Sequence, residues 1–200
     1  AASDVYKRQL LNTRELGIER HNVGAVVYCS ENIPFKEIVS QIPEVSECLN
    51  GFHTPIPKMF YSIYRVKEWD GKVADSEQYI ELEDETINQD YADFFGVEVL
   101  NGSMLDEKDG KDMVVINEAA MKAFGWTQPI GKKMGKLGKQ CIVKGVIKNI
   151  SYNAPIHPVA PAMFHLPDSR DRGGIIFKVK EGTWNIVCLL YTSDAADDLI

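Results

Sequence analysis

No apolar run in this chain approaches the ~20 residues that cross a bilayer, no basic cluster interrupts it, and its cysteines are few. The missing run leaves no membrane helix, and no signal peptide is visible either. The charge balance is acidic, with 22 Lys and Arg against 29 Asp and Glu for a formal net charge of −7. That sign argues against nucleic acid or an anionic membrane surface as a partner. Four cysteines, Cys29, Cys48, Cys141 and Cys188, form neither a zinc pattern nor a CxxC redox motif. His21, His53, His157 and His165 are scattered without an HExxH or i, i+4 pair, so they read as surface or packing residues. There is no GxSxG elbow or other nucleophile signature. These absences leave no catalytic, cofactor-binding or metal residue to name.

The two ends of the chain match each other as DNA. Ala1–Gln9, AASDVYKRQ, can be encoded by GCA GCG TCA GAT GTG TAT AAG AGA CAG. The reverse complement, read one base in, encodes CLLYTSDAA, which is Cys188–Ala196. Residues 1–9 and 188–200 are therefore expected to be adapter-derived tails, foreign to the fold. Setting aside 9 and 13 of the 200 residues leaves Leu10–Val187, 178 residues, read as a fragment cut at both ends. Removing Asp4, Lys7 and Arg8 (net +1) and Asp194, Asp197 and Asp198 (net −3) moves the net charge from −7 to −5. Cys29, Cys48 and Cys141 remain, best placed as small core residues. Cys29 and Cys48 would lie on neighbouring strands, which leaves a disulfide between them open in an oxidising compartment.

What is present reads as α+β. Leu10–Val23 suggests the end of a helix or stalk and a linker. Gly24–Ser30 is apolar enough for a buried strand. Asn32 and Pro34 suit the start of a helix whose stripe is Phe35, Ile38, Val39 and Ile42, with Pro43 as its stop. Val45–Phe52 is a second strand, so the opening reads as βαβ. Thr54–Lys58, with Pro55 and Pro57, marks a lobe boundary. Strands follow at Met59–Val66 and Gln78–Leu82 around a turn at Asp70–Gly71, then a helix over Asn88–Phe95 ending before Gly96 and a strand at Val97–Leu100. An acidic loop, Asn101–Asp112, comes next. Lys132–Leu137 and Gln140–Ile147 suit a hairpin around Gly138–Lys139. Ser151–Pro161 holds three prolines and reads as an extended crossing. Ala162–Leu166 and Ile175–Lys180 are strands, with a second boundary at Gly173–Gly174.

The densest segment is Val114–Met134, VVINEAAMKAFGWTQPIGKKM. A β-run, Val114–Ile116, meets Asn117, a good helix N-cap. The helix-favouring Ala119–Ala123 then stops at Gly125, and Pro129 and Gly131 turn the chain into a basic strand. Its glycines invite a phosphate-loop reading, which fails. Gly125 and Gly131 enclose five residues instead of four, and Lys133 stands where Ser or Thr must follow Lys132. Glu118 suits the helix dipole better than a general-base role, since no nucleophile pairs with it. Glu81, Glu83, Asp84 and Glu85 are read as solvated strand-end carboxylates rather than a cation site. Trp69, Trp126, Phe94, Phe95, Phe124 and Phe164 are assigned to cores; an exposed Trp69 beside Pro55–Pro57 would instead mark a protein-contact surface.

Val114–Met134 closely resembles the signature of the periplasmic core domain of MacB-like, FtsX-type ABC transporter permeases. The resemblance extends to GIERHNV (Gly17–Val23), IPEV (Ile42–Val45) and DYADFFGVEVLNGS (Asp90–Ser103), where Ser103 replaces a common Arg. It continues through CIVKGVIKNISYNAPIHPVAPAMFHL (Cys141–Leu166), where Asn149 takes a usually acidic place, to IIFKVKEG (Ile175–Gly182). It implies a two-lobed domain in which a discontinuous βαβ-type lobe receives an inserted mixed α/β lobe. The expected lobes are 10–58 with 173–187, the latter truncated, and 59–172. It further implies a non-catalytic, cofactor-free domain outside the inner membrane, between the first two membrane helices. Implied partners are an ABC ATPase subunit or domain, a second permease copy, and an envelope protein or exported substrate. Export is the leading role, and FtsX-like regulation of a cell-envelope enzyme is the alternative.

Overall fold

The computed structural model describes residues 21–26, 35–50, 62–73, 78–136, 139–151, 158–167 and 175–186. Both expected tails lie outside them, as do Leu10–Glu19, Cys29, Asn32, His53, the boundaries at Thr54–Lys58 and Gly173–Gly174, the Gly138 turn and His157. The fold is α+β and divides into two compact units, one within Pro55–Asp168 and one formed from Arg20–Thr54 with Ser169–Ile200.

The smaller unit is built from β1 (Val23–Val26), helix α1 (Phe35–Ser40), β2 (Val45–Asn50) and β12 (Ile175–Val179). β12 lies between β1 and β2 and is antiparallel to both. β1 and β2 therefore run parallel, and α1 is their crossover. The helix stripe reaches its target: Val39 is buried against Phe177 and Val179, with Ile42, Val45 and Cys48 packed around them. Turn bonds from Gln41 N to Ile38 O and Ile42 N to Val39 O close the helix before Pro43. Being central, β12 is buried at Ile175, Ile176, Phe177 and Val179.

The larger unit carries β3 (Ile63–Val66), β4 (Glu68–Trp69), β5 (Lys72–Val73), β6 (Ile80–Thr86), α2 (Gln89–Phe95), β7 (Val99–Gly102), β8 (Met113–Asn117), α3 (Glu118–Ala123), β9 (Lys133–Lys136), β10 (Lys139–Ile147) and β11 (Ala162–His165). The strands pair in the order β3-β6-β11-β8-β10-β9-β4-β5, and β7 joins the second half of β10. This sheet closes on itself. Ser62 O accepts from Asp84 N at 2.8 Å, so even-numbered residues of β3 turn their backbone polar groups toward β6. Lys67, one residue out of phase, faces the other way and donates its N–H to Gly135 O of β9 at 2.9 Å. β3 and β4 are thus one bent strand that pairs with β6 on one edge and β9 on the other.

Closure encloses a core of Val66, Leu82, Val114, Ile116, Met134, Cys141, Val143 and Met163, with Phe124 and Trp126 joining from the α3 segment. Alternation explains the selection: Val114 and Ile116 point to this core while Val115, between them, is buried on the other face. The Asp70–Gly71 turn is a two-residue hairpin loop with φ of 53° and 71°, as a primed turn requires. α2 starts on Asn88, whose side chain accepts from Tyr91 N at 2.9 Å. It ends on Gly96 at φ 63°, with Val97 N bonded back to Ala92 O.

Three expectations need correction. β1 and β2 are not neighbouring strands, because β12 pairs between them, and Cys29 lies outside the described residues. β6 runs four residues past Leu82 because β11 pairs with Glu83–Thr86 and draws the acidic run into the sheet. β7 is shifted to Val99–Gly102, and it takes its first two residues after Leu100 from the expected acidic loop because β10 supplies a partner there.

Candidate functional site

The Val114–Met134 unit is a joint made of hydrogen bonds between side chains and backbone. Asn117 ends β8 in extended conformation, only 1% exposed, and caps α3. Its Oδ1 accepts from Ala120 N at 2.9 Å and from Ala162 N at 3.0 Å, and its Nδ2 donates to Ala160 O at 2.8 Å. One amide therefore fastens the helix start to the proline-rich crossing that feeds β11. Beside it, Glu118 Oε2 accepts from Asn149 N at 3.0 Å, and Asn149 Oδ1 accepts from Ala119 N at 3.0 Å. In that exchange Asn149 needs only its acceptor oxygen and its backbone N–H. It also engages Glu118, which stands in the first turn of α3.

The glycines and Lys132 of the segment are engaged too. Gly125, at φ 67°, donates to Lys122 O, and Trp126 N reaches Met121 O, the paired bonds of a Schellman stop. Gly131, at φ 79°, donates to Val143 O at 2.8 Å. Lys132 Nζ lies 2.6 Å from Asp70 Oδ1, and the indole N–H of Trp126 donates to Asp70 Oδ2 at 2.5 Å. The hairpin tip at Asp70 is thereby pinned to the turn after α3. Phe124 stacks on Trp126 at 4.2 Å between ring centres and meets Trp69 edge-on at 6.0 Å. Trp69 is half-buried against this core rather than displayed.

The acidic run does not behave as expected. Glu81 is exposed and bonds Arg65 Nε at 3.0 Å, but Glu85 is 2% exposed and Asp84 is half-buried. The reason is the extension of β6 between β3 and β11, which buries Glu85 and half-buries Glu83 and Asp84. His165 donates Nδ1–H to Leu166 O at 2.9 Å and sets Nε2 3.3 Å from Asp84 Oδ1. Burial pushes the Tyr64 hydroxyl above the ordinary tyrosine range, with the charges of Cys141 and Asp84 adding to it. His21 is exposed. Among the described residues no three His, Cys, Asp or Glu side chains are placed to hold a metal ion.

A cleft of about 540 Å³, which the sequence did not announce, lies in the larger unit between the start of α2, the segment after β7, and β10. Met104 and Leu105, both buried, form its floor; Asp90, Asp106, Glu107 and Lys144 line it. Lys144 Nζ lies 2.5 Å from Asp109 Oδ2. The Asp106 backbone N–H, 2.6 Å from Asp109, and then Lys144 hold the Asp109 carboxyl below the usual range. The cleft offers carboxylates over an apolar floor; Ser103 also lines it.

No family model matches the sequence, and no curated protein does. Solved structures do resemble it. The periplasmic region of MacB from Actinobacillus actinomycetemcomitans superposes at a TM-score of 0.52 with 18% identity, over 96% of this chain and 89% of that one. A domain described as belonging to a permease protein from Porphyromonas gingivalis superposes at 0.51 with 15% identity, over 82% and 75%. The chain shares their fold.

Two outcomes follow from the geometry. Asn117→Ala strips three buried partners and costs about 3 kcal/mol or more, whereas Asn88→Ala, losing one cap bond, costs about 1 kcal/mol; urea midpoints of the two variants give the comparison, and equal costs would contradict it. Asp109 has a depressed folded pKa, so its contribution is present above the ordinary carboxylate range and lost as pH falls through the folded value. Asp109→Asn should therefore lower the urea midpoint at pH 7, and the difference should vanish in acid. A difference independent of pH would contradict this.

Proposed function

We propose that Leu10–Val187 is the extracytoplasmic domain of a MacB-like ABC transporter permease, which contacts partner or substrate proteins and passes on motion driven by an ATPase on another domain or chain. One observation carries the reading beyond shared fold. The first and the last described strands of the smaller unit are hydrogen-bonded neighbours: Val23 pairs with Lys178, and Val179 N donates to Asn22 O at 2.8 Å. The smaller unit is thus assembled from two stretches that the larger unit separates in sequence, which supports the discontinuous plan that the resemblance implies. In this reading a shift of the membrane helix expected before Leu10 would act on the β1–β12 ladder.

Signature and fold agree in direction: the VVINEAAMKAFGWTQPIGKKM segment builds a joint, and its cap, stop and turn bonds account for its unusual residues. The role in this reading is mechanical and non-catalytic, in a protein of the inner membrane. Recovering the parent gene tests it. The expected gene encodes one apolar helix just before Leu10 and three after the domain, with no adapter-encoded residues. A complete gene without membrane helices would contradict the proposal. Changed sensitivity to exported compounds on deletion would indicate export, and copurification of a cell-wall hydrolase would indicate regulation.

A further inference from the structure

We propose that the outer edge of β7 and the adjoining cleft form a docking surface for an extended, lysine- or arginine-bearing segment of a partner polypeptide, added to the sheet as a strand. β7 pairs with β10 along one edge and, among the described residues, with no strand along the other. All four of its residues are exposed, including the apolar Val99 at 38% and Leu100 at 44%. Folds normally blunt such an edge with lysine, proline or a covering element. β7 carries neither residue. An open edge offers backbone donors and acceptors to an incoming strand, and its side chains supply the selectivity.

Charge selects the occupant. β7 runs through Ser103 into the cleft, where Met104 and Leu105 form an apolar floor and Asp90, Asp106 and Glu107 stand around it. The only cation among the lining residues, Lys144, is matched by Asp109. No described cation forms an ion pair with Asp90 or Glu107. The surface is therefore apolar where the strand begins, at Val99 and Leu100, and acidic beyond its end. Four residues of β7 span about 13 Å, so a paired segment that continues past them brings its next side chains over the carboxylates. A second copy of this chain, acidic overall at −7 and bearing the same carboxylates, is repelled rather than seated.

The inference rests on the partner-contact reading above, but its test does not, because binding is read on the chain alone while that reading is decided by the parent gene. The whole chain is titrated calorimetrically with a short, acetylated and amidated peptide of alternating valine and lysine. The proposal expects saturable binding that shifts the backbone amide resonances of residues 99–101. It expects affinity to fall about fivefold when Asp90→Asn and Glu107→Gln are combined, and to be unchanged by Glu37→Gln with Glu181→Gln in the smaller unit. N-methylation of alternate peptide nitrogens should abolish binding, since strand addition needs those donors. Absence of binding would overturn the proposal. An equal loss in the remote double variant, undiminished binding of the methylated peptide, equally tight binding of spermine, or dimerisation of the chain through β7 would each overturn it too.

Discussion

The side chain of Asn117 is the contact on which the larger unit depends. A strand that turns straight into a helix leaves the first helical N–H groups without partners, and here that corner is buried. A carboxylate could accept two of those bonds but could not donate to Ala160 O, and it would bring an uncompensated charge into the core. A serine or threonine hydroxyl is too short to serve both the helix and the crossing segment. An amide with one carbonyl and one NH₂ satisfies Ala120, Ala162 and Ala160 together. The strand order follows from this, because fixing the crossing at Ala160–Ala162 places β11 between β6 and β8.

Closure of the sheet then makes the larger unit a single packed body. The half-turn of phase between β3 and Lys67 lets one strand serve both edges of the barrel, so Val66 and Met134 are fully buried. Glycine makes the second crowded contact possible. A Cβ on Gly145 would come within 2.3 Å of Ser103 O, and one on Gly102 within 2.2 Å of Lys144 O, so β7 approaches β10 only because both positions lack side chains. The bending of the chain at Gly125 and Gly131 belongs to the same design, with turn amides bonded to carbonyls inside the fold.

Local chemistry was legible in the sequence. Asn88 and Gly96 bracket α2, Asn117 and Gly125 bracket α3, and the Asp-Gly pair makes its hairpin, because each of these signals acts within a few residues. The α+β class was legible too. The longer reach of Asn117 was not, since Ala160 lies 43 residues along the chain and no spacing rule connects them. The burial of Glu85 was hidden for a similar reason: an acidic run reads as solvent-facing until a strand from far down the chain pairs with it. Barrel closure depends on the phase of one residue, Lys67, which composition does not reveal. The cleft arises from three separated segments, and only its carboxylates were visible beforehand.

Native-state hydrogen exchange at Ala120 and Ala162 tests the central claim that one buried amide holds the joint together. Both N–H groups donate to the same Oδ1. They should exchange together, at the slow rate set by global unfolding, and respond to denaturant with the full unfolding slope. If either exchanges through a local opening while the core strands β8 and β10 stay protected, Asn117 is a surface-grade cap and the account is wrong.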